Sequence, residues 1–335
     1  MTRRATGARI VRYDPMLPTA GLFGSVTSAD RPKLDVQCEF GGVTWHLRGP
    51  DMLGVAEQTL LLVLMELAHE QYGSEFALDA DWQPLVQAMA TPSMLEVAPR
   101  TSDGAPVTLA ALAVSYAELV RRCGRRNEGG SAARQLRVQL KRLCEVSVWF
   151  EQPKGVERRT QLLHWRVGDG HGVQVVLNWR LTEILLGKQY SPVLLSERLR
   201  LESDIARALH CALSVHIRPG ATRAYAVDDL ARFVWPGHAV AESTTRRRRQ
   251  QLRKALIEIG QLARWRLKVH DDLPLGQAVT VTFHRKELMH VRRAGSAPMP
   301  KVEPDDVPQE SSVTQNYDPA RGHVDISSWF VTPQA

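Results

Sequence analysis

Hydrophobic positions divide the chain into short blocks of differing period. Residues 33–47, KLDVQCEFGGVTWHL, read as two short strands around Gly41-Gly42, a hairpin signal. Asp51 is placed to cap the next block, Met52 to Tyr72, which is densely apolar, helical in length and stopped at Gly73. Val107 to Val114 has strand composition. Ser115 then caps a short helix, Tyr116 to Cys123, closed by Gly124. After the polar turn RRNEGG, Ser131 caps a longer helix to about Glu145. Two strand-like runs follow, Val146 to Phe150 and Leu162 to Val167, separated by a basic loop with Lys154, Arg158 and Arg159. Short helix, turn, longer helix and β-hairpin is the order of a winged helix-turn-helix.

The order recurs. Leu177 to Leu186 and Leu199 to Ile217 read as helices, and Val227 to Val234 as a short one. After a turn around Pro236-Gly237, Ser243 caps a longer helix to about Ile259. Trp265 to His270 and Val279 to Phe283 give the second hairpin. Sliding the two long helices over each other by 112 positions sets Ser131 on Ser243, Arg134 on Arg246, Arg137 on Arg249 and Leu140 on Leu252. Gln139 falls on Gln251, and Lys141-Arg142 on Arg253-Lys254. At an offset of 111, Leu119 meets Leu230 and Arg121 meets Arg232. Two amphipathic basic helices can agree by chance. The shared cap, hairpin and upstream helix favour a structural duplication.

The expected architecture is α+β: tandem winged-helix domains with a disordered acidic C-terminal tail. The expected boundaries are an N-terminal arm over 1–30, a first domain over 31–174, a second over 175–290 and the tail over 291–335. Residues 1–30 show little periodicity and read as an extended arm.

Composition sharpens this. With 335 residues, 44% hydrophobic and 24% charged, the chain has material for about two cores. The apolar run Leu60 to Leu67 is broken by Glu66 and is far short of the roughly 20 residues of a membrane span. No apolar segment backs the basic N-terminus, which speaks against a secretory signal. Cys38, Cys123, Cys144 and Cys211 form no CxxC, so a reduced, cytoplasmic setting is expected without zinc ribbons. The net charge is +7. Residues 294–335 hold Lys301 and Arg321 against six acids, −4, which leaves +11 on the body. That imbalance points to a polyanion, nucleic acid first. A ribosome-associated or membrane-surface protein fits the composition as well.

The second long helix is the sharpest feature. With ~100° per residue, Leu252, Ala255, Leu256 and Ile259 form the core face. Ser243, Arg246, Arg247, Gln250 and Lys254 lie opposite, and Arg253 lies at the edge. Arg248 and Arg249 fall nearer the core side and fan outward. No acid interrupts 243–254. Such a helix suits the major groove, where Arg meets guanine O6/N7 and Gln meets adenine N6/N7. The bland alternative is a solvated surface helix or a localisation-type basic cluster. The first long helix carries Ser131, Arg134, Gln135, Val138, Lys141 and Arg142 outward. Val138 suits a thymine methyl, and Arg121, Arg122, Arg125 and Arg126 read as phosphate clamps. A domain–domain contact is the alternative for this face. The second hairpin loop, DDLPLGQ, starts with two acids and is ill suited to phosphates.

Catalytic signatures are missing from the sequence. It contains no GxxxxGK[ST], no HExxH and no His pair on a strand beside a Tyr. His210-Cys211 reads as a packed pair. No enzyme activity, cofactor or metal is expected.

Six segments resemble the IncQ-type plasmid replication initiators, the RepC family among iteron-binding initiators. They are VRYDPMLPTAGLF (11–23), KLDVQCEF (33–40), SYAELVRRCG (115–124), VVLNWRLTEILLG (175–187), ESDIARALHCAL (202–213) and, most specifically, FVWPGHAVAESTTRRRRQQLRKAL (233–256). The resemblance implies a non-enzymatic two-winged-helix protein. Such a protein binds direct repeats, iterons, in double-stranded origin DNA, promotes opening of an adjacent AT-rich region, and has the plasmid helicase and primase as partners. Self-association as a homodimer belongs to the same expectation. Carried over, Arg246 to Arg249, Gln250, Arg253 and Lys254 read the iteron, while Arg134, Arg137, Lys141 and Arg142 take an adjoining groove. The acidic tail departs from the family pattern. A two-winged-helix repressor, and more distantly a relaxase or primase, are the competing readings.

Overall fold

Strand, short helix, longer helix and a closing strand pair occur twice in the computed structural model, the first time with two strands of another sheet inserted before the closing pair. The model describes residues 9–26, 31–72, 109–125, 129–152, 156–168, 172–187, 189–236, 241–270 and 279–288. The first 286 residues form one compact unit. The remainder, 287–335, forms a second, of which only Glu287 and Leu288 are described. The expected disordered tail therefore lies outside the described residues.

In chain order the elements are β1 (Ile10–Tyr13), α1 (Met16–Thr19), β2 (Phe23–Gly24), β3 (Leu34–Phe40), β4 (Val43–Gly49), β5 (Leu53–Gly54) and α2 (Val55–Tyr72). Next come β6 (Ala111–Ser115), α3 (Tyr116–Arg122), α4 (Gly130–Cys144), β7 (Ser147–Gln152), β8 (Val156–Gln161), β9 (Leu163–Val167) and β10 (Gly172–Leu177). Then follow α5 (Trp179–Leu185), β11 (Ser191–Leu194), α6 (Leu195–Arg198), α7 (Asp204–His216), β12 (Thr222–Ala226), α8 (Val227–Val234), α9 (Glu242–Gly260), β13 (Trp265–His270) and β14 (Thr280–Arg285).

The two repeats have matching sheets. The first is ordered β6-β10-β9 and the second β12-β14-β13, and all pairs are antiparallel. In each, the strand before the short helix returns to pair with the last strand. Val175 lies between Leu112 and Trp165, and Val281 between Tyr225 and Val269. Ser115 Oγ accepts the Glu118 N–H at 3.1 Å and starts α3, and Gly124, at φ +71, ends that turn.

Three expectations change. Val146 to Phe150 and Leu162 to Val167 are not partners. β7 pairs with β8 and with β4, completing a four-stranded sheet ordered β3-β4-β7-β8. The cause is the face they bury: Val148 and Phe150 close on Trp45 and Leu47, with Trp45 and Phe150 ring centroids 5.3 Å apart. β9 instead pairs with β10, across residues 168–171. Arg158 and Arg159, expected in a loop, therefore lie in β8 at the edge of the four-stranded sheet, opposite Phe150 and Trp149.

The described part of the N-terminal arm, residues 9–26, packs into the core instead of running free. Val11, Tyr13, Met16, Leu17, Leu22 and Phe23 are buried; β1 pairs with β11, and Ser25 N–H donates to Val234 O at 2.7 Å. The segment TRAYA, with one buried residue in five, gives little apolar alternation, yet forms β12 by pairing with β14.

Beneath the first repeat runs α2, buried continuously from Glu57 to Ala68. Its two acids inside that core have assigned partners. Glu57 takes Arg31 at 3.1 Å, and Glu66 takes Arg9 and, at 3.2 Å, Arg122. Arg198 of α6, fully buried, donates to Val55 O and Thr59 Oγ1 at 3.2 Å and clips α6 to α2. The second repeat rests on α7, against which α8 and α9 pack.

Candidate nucleic-acid interface

α9 separates its residues by face as helical geometry requires. Leu252, Ala255, Leu256 and Ile259 are buried. Ser243, Arg246, Arg247, Arg249, Gln250, Arg253 and Lys254 are exposed. The helix begins one residue before Ser243, with Ala241 in the capping position, so Ser243 stands in the first turn. α4 starts the same way: Gly129 occupies the capping position and Ser131 the first turn. Ala132, Leu136, Gln139, Leu140 and Leu143 are buried in α4, while Ser131, Arg134, Gln135, Arg137, Val138 and Lys141 are exposed.

The two arginines nearest the core side of α9 are held, not fanned freely. Arg248 is half-buried, with its guanidinium 5.1 Å from the Trp235 ring centroid. Arg249 forms a two-pronged pair with Asp228 at the start of α8, Nε to Oδ1 and Nη2 to Oδ2, each 2.7 Å. Hydrogen bonds from Arg249 hold the Asp228 carboxyl below the usual carboxylate range. On α4 the corresponding Arg137 donates from Nε to Tyr116 Oη at 3.1 Å, with its guanidinium 5.1 Å from that ring.

Other basic candidates are committed elsewhere. Arg142 is half-buried and donates to Asp51 at 3.0 Å and Glu57 at 3.2 Å. Arg122 binds Glu70 at 2.7 Å and Glu118 at 2.7 Å, and Arg121 also binds Glu118. Arg125 donates to Gln139 at 2.5 Å. Lys141 lies 3.6 Å from Glu145. Arg159 projects from β8, donates to Ser147 Oγ at 2.9 Å and lies 5.2 Å from the Trp149 ring, while Arg158 beside it is half-buried. Arg126, Lys154 and the loop 271–278 lie outside the described residues. The structure thus sets Arg134, Arg137 and Lys141 on one exposed helix face and Arg246, Arg247, Gln250, Arg253 and Lys254 on another. It gives Arg142 to the core.

Sequence reading missed Asp228, Tyr116 and Trp235 as partners of these arginines. A signal was present. Arg137 and Arg249 each find their partner twenty-one residues upstream, in the first turn of the short helix.

His210 and Cys211 are fully buried, and Glu197 Oε2 receives His210 Nε2 at 3.3 Å and Trp265 Nε1 at 3.1 Å. Among the described residues, no group of His, Cys, Asp and Glu is placed to hold a metal, and no helix is long and apolar enough to cross a membrane.

The sequence matches the model of the family described as replication protein C (RepC) over residues 7–271. The chain belongs to the RepC family. No curated protein sequence matches it. Among solved structures it is similar to domains 2 and 3 of RctB, in two crystal structures. One, of selenomethionine derivatives, has a TM-score of 0.52 at 12% identity, covering 82% of this chain and 98% of that one. The other has a TM-score of 0.51 at 11% identity, covering 81% and 96%. The shared feature is the fold, and this RepC chain carries it over most of its length.

Proposed function

We propose that this RepC protein is a replication initiator that binds directly repeated duplex sites, iterons, at a plasmid origin. In this reading each strand–helix–helix–strand–strand repeat is a winged helix, with α4 and α9 as the recognition helices and domains near 31–174 and 175–290. The observation that carries it is the equivalence of α4 and α9. Both start at matching positions, bury one apolar stripe and turn arginines outward from the same place in a repeated unit. Cationic helices offered twice along one chain suit two successive major-groove contacts on one duplex. Binding opens an adjacent AT-rich segment, and the plasmid helicase and primase are recruited there. Homodimerisation belongs to the same proposal. The protein itself supplies binding energy and no covalent chemistry.

Footprinting on tandem direct repeats beside an AT-rich stretch, combined with permanganate detection of unpaired thymines, tests this. Protection in phase with the repeats and protein-dependent reactivity in the AT-rich stretch are expected. Protection confined to a lone palindrome over a promoter replaces the initiator with a repressor.

A further inference from the structure

We infer that Arg249 reads the O6/N7 edge of a guanine with Asp228 as its positioning residue, whereas Arg137 holds a backbone phosphate. This rests on the duplex-binding reading above and assigns separate tasks within it.

The two arginines occupy matching places on α4 and α9, and each reaches back to the first turn of the preceding short helix. Their partners differ in charge. Tyr116 offers Arg137 a neutral phenol oxygen and a ring face, so the unit Arg137–Tyr116 keeps its full positive charge. Asp228 offers Arg249 both carboxylate oxygens at 2.7 Å, so that unit is neutral overall. Phosphate binding draws on net charge, because each neutralised phosphate releases condensed counterions. A neutral pair releases none. A phosphate brought to Arg249 also meets the Asp228 carboxylate, and like charges side by side are unfavourable. Guanine O6 and N7 are uncharged acceptors and carry no such penalty.

Geometry fits the same division. Asp228 takes the Nε/Nη2 edge of the guanidinium. The other edge, Nη1 with the second N–H of Nη2, presents two parallel donors, the arrangement that matches O6 and N7. Holding a half-exposed arginine in one rotamer leaves less freedom to lose on binding. Arg253, one turn on, is exposed and supplies the charge that Arg249 lacks, whereas Arg246, one turn back, lies 4.0 Å from Glu242. Asp228 stays ionised across the neutral range because Arg249 hydrogen-bonds it, so the support persists.

The test uses the full chain, the duplex that wild type selects from a random library, and a scrambled duplex of equal composition. Each guanine of the selected duplex is replaced in turn by 7-deazaguanine, which lacks the N7 acceptor. One such replacement is expected to weaken wild-type binding at least about fivefold, and to change Arg249→Ala binding not at all. In salt titrations on the scrambled duplex, Arg137→Ala lowers the slope of log K against log salt by ~0.9, and the double variant Asp228→Ala/Arg249→Ala, which removes the neutral pair whole, leaves it unchanged. Asp228→Ala frees a cation. It raises the slope by about the same amount, tightens scrambled-duplex binding and reduces the preference for the selected duplex, and Asp228→Glu restores part of that preference. A merely structural Asp228 would weaken both duplexes together with the slope unmoved. The inference is overturned if Arg249→Ala stays sensitive to the same 7-deazaguanine, or if Asp228→Ala/Arg249→Ala lowers the slope as Arg137→Ala does. If wild type selects no sequence at all, the duplex-binding reading falls with it.

Discussion

Arg142 Nη1 donates to Glu57 Oε1 across 3.2 Å, from the last turn of α4 into the buried first turn of α2. This contact takes Arg142 out of the exposed cation set of α4 and makes it a strut between α4 and α2. Arg142→Ala leaves a buried carboxylate short of one partner. Breaking a buried pair costs roughly 3–5 kcal/mol, and the Arg31 contact at 3.1 Å sets that as a ceiling. The expected result in denaturant titration is a loss of stability below that ceiling, with the salt slope of DNA binding unchanged.

Gln250 and Arg247 face away from the core, near the helix start. Changing either to Ala is expected to cost about 1–3 kcal/mol on the selected duplex and far less on a scrambled one. Lys254→Ala is expected to weaken both duplexes equally and to lower the salt slope by ~0.9. Equal losses on both duplexes for Gln250→Ala and Arg247→Ala would leave base reading by α9 to Arg249.

The pattern of hydrophobic residues revealed α4 and α9 and their exposed faces, because a 3.6-residue period is a local property. It failed where pairing is long-range. β7 and β9 have similar strand composition, and only the apolar surface of Trp45 and Leu47, a hundred residues upstream, decides which of them joins which sheet. Residues 10–24 lack periodicity because their burial comes from several elements at once. The charge partners of Arg249 and Arg142 were hidden for the same reason: a run of arginines shows where positive charge is, not which carboxylate the fold brings to it.

His216 sits at the end of α7, stacked on Phe233 of α8 at 4.7 Å, and its buried Nε2 has no hydrogen-bond partner among the described residues. Burial, aided by Arg223, pushes its pKa down to about 4. The unfolded chain takes up a proton near pH 6.5 and the folded chain does not. Stability is therefore full above about pH 6.5 and falls toward pH 4, by at most ~1.4 kcal/mol per pH unit from this group. Melting curves across that range are expected to be flatter for His216→Phe than for wild type.

Gly21 combines φ +68 with a neighbour that a side chain would strike, since an added Cβ would lie 2.9 Å from Pro236 Cβ. Gly24 meets Pro236 Cδ at the same distance. Gly21→Ala is expected to destabilise by more than about 1 kcal/mol, and amide exchange at Ser25, which bonds Val234 O, is expected to accelerate. Unchanged exchange at Ser25 would show that the contact with Pro236 is not what seats this segment.

The pairing of β1 with β11 has a consequence for synthesis. Ile10 and Tyr13 meet Leu194 and Ser191, strands that leave the ribosome far apart in time. At ~5–20 residues per second, the first strand waits on the order of ten to forty seconds for its partner. Through that interval Val11 and Tyr13, buried in the finished protein, have α2 to pack against but no strand partner. The completion of this pairing registers that α5 and β11 have both emerged. Nascent chains halted before Ser191 should carry an unsatisfied strand edge, the kind of surface that chaperones and proteases recognise.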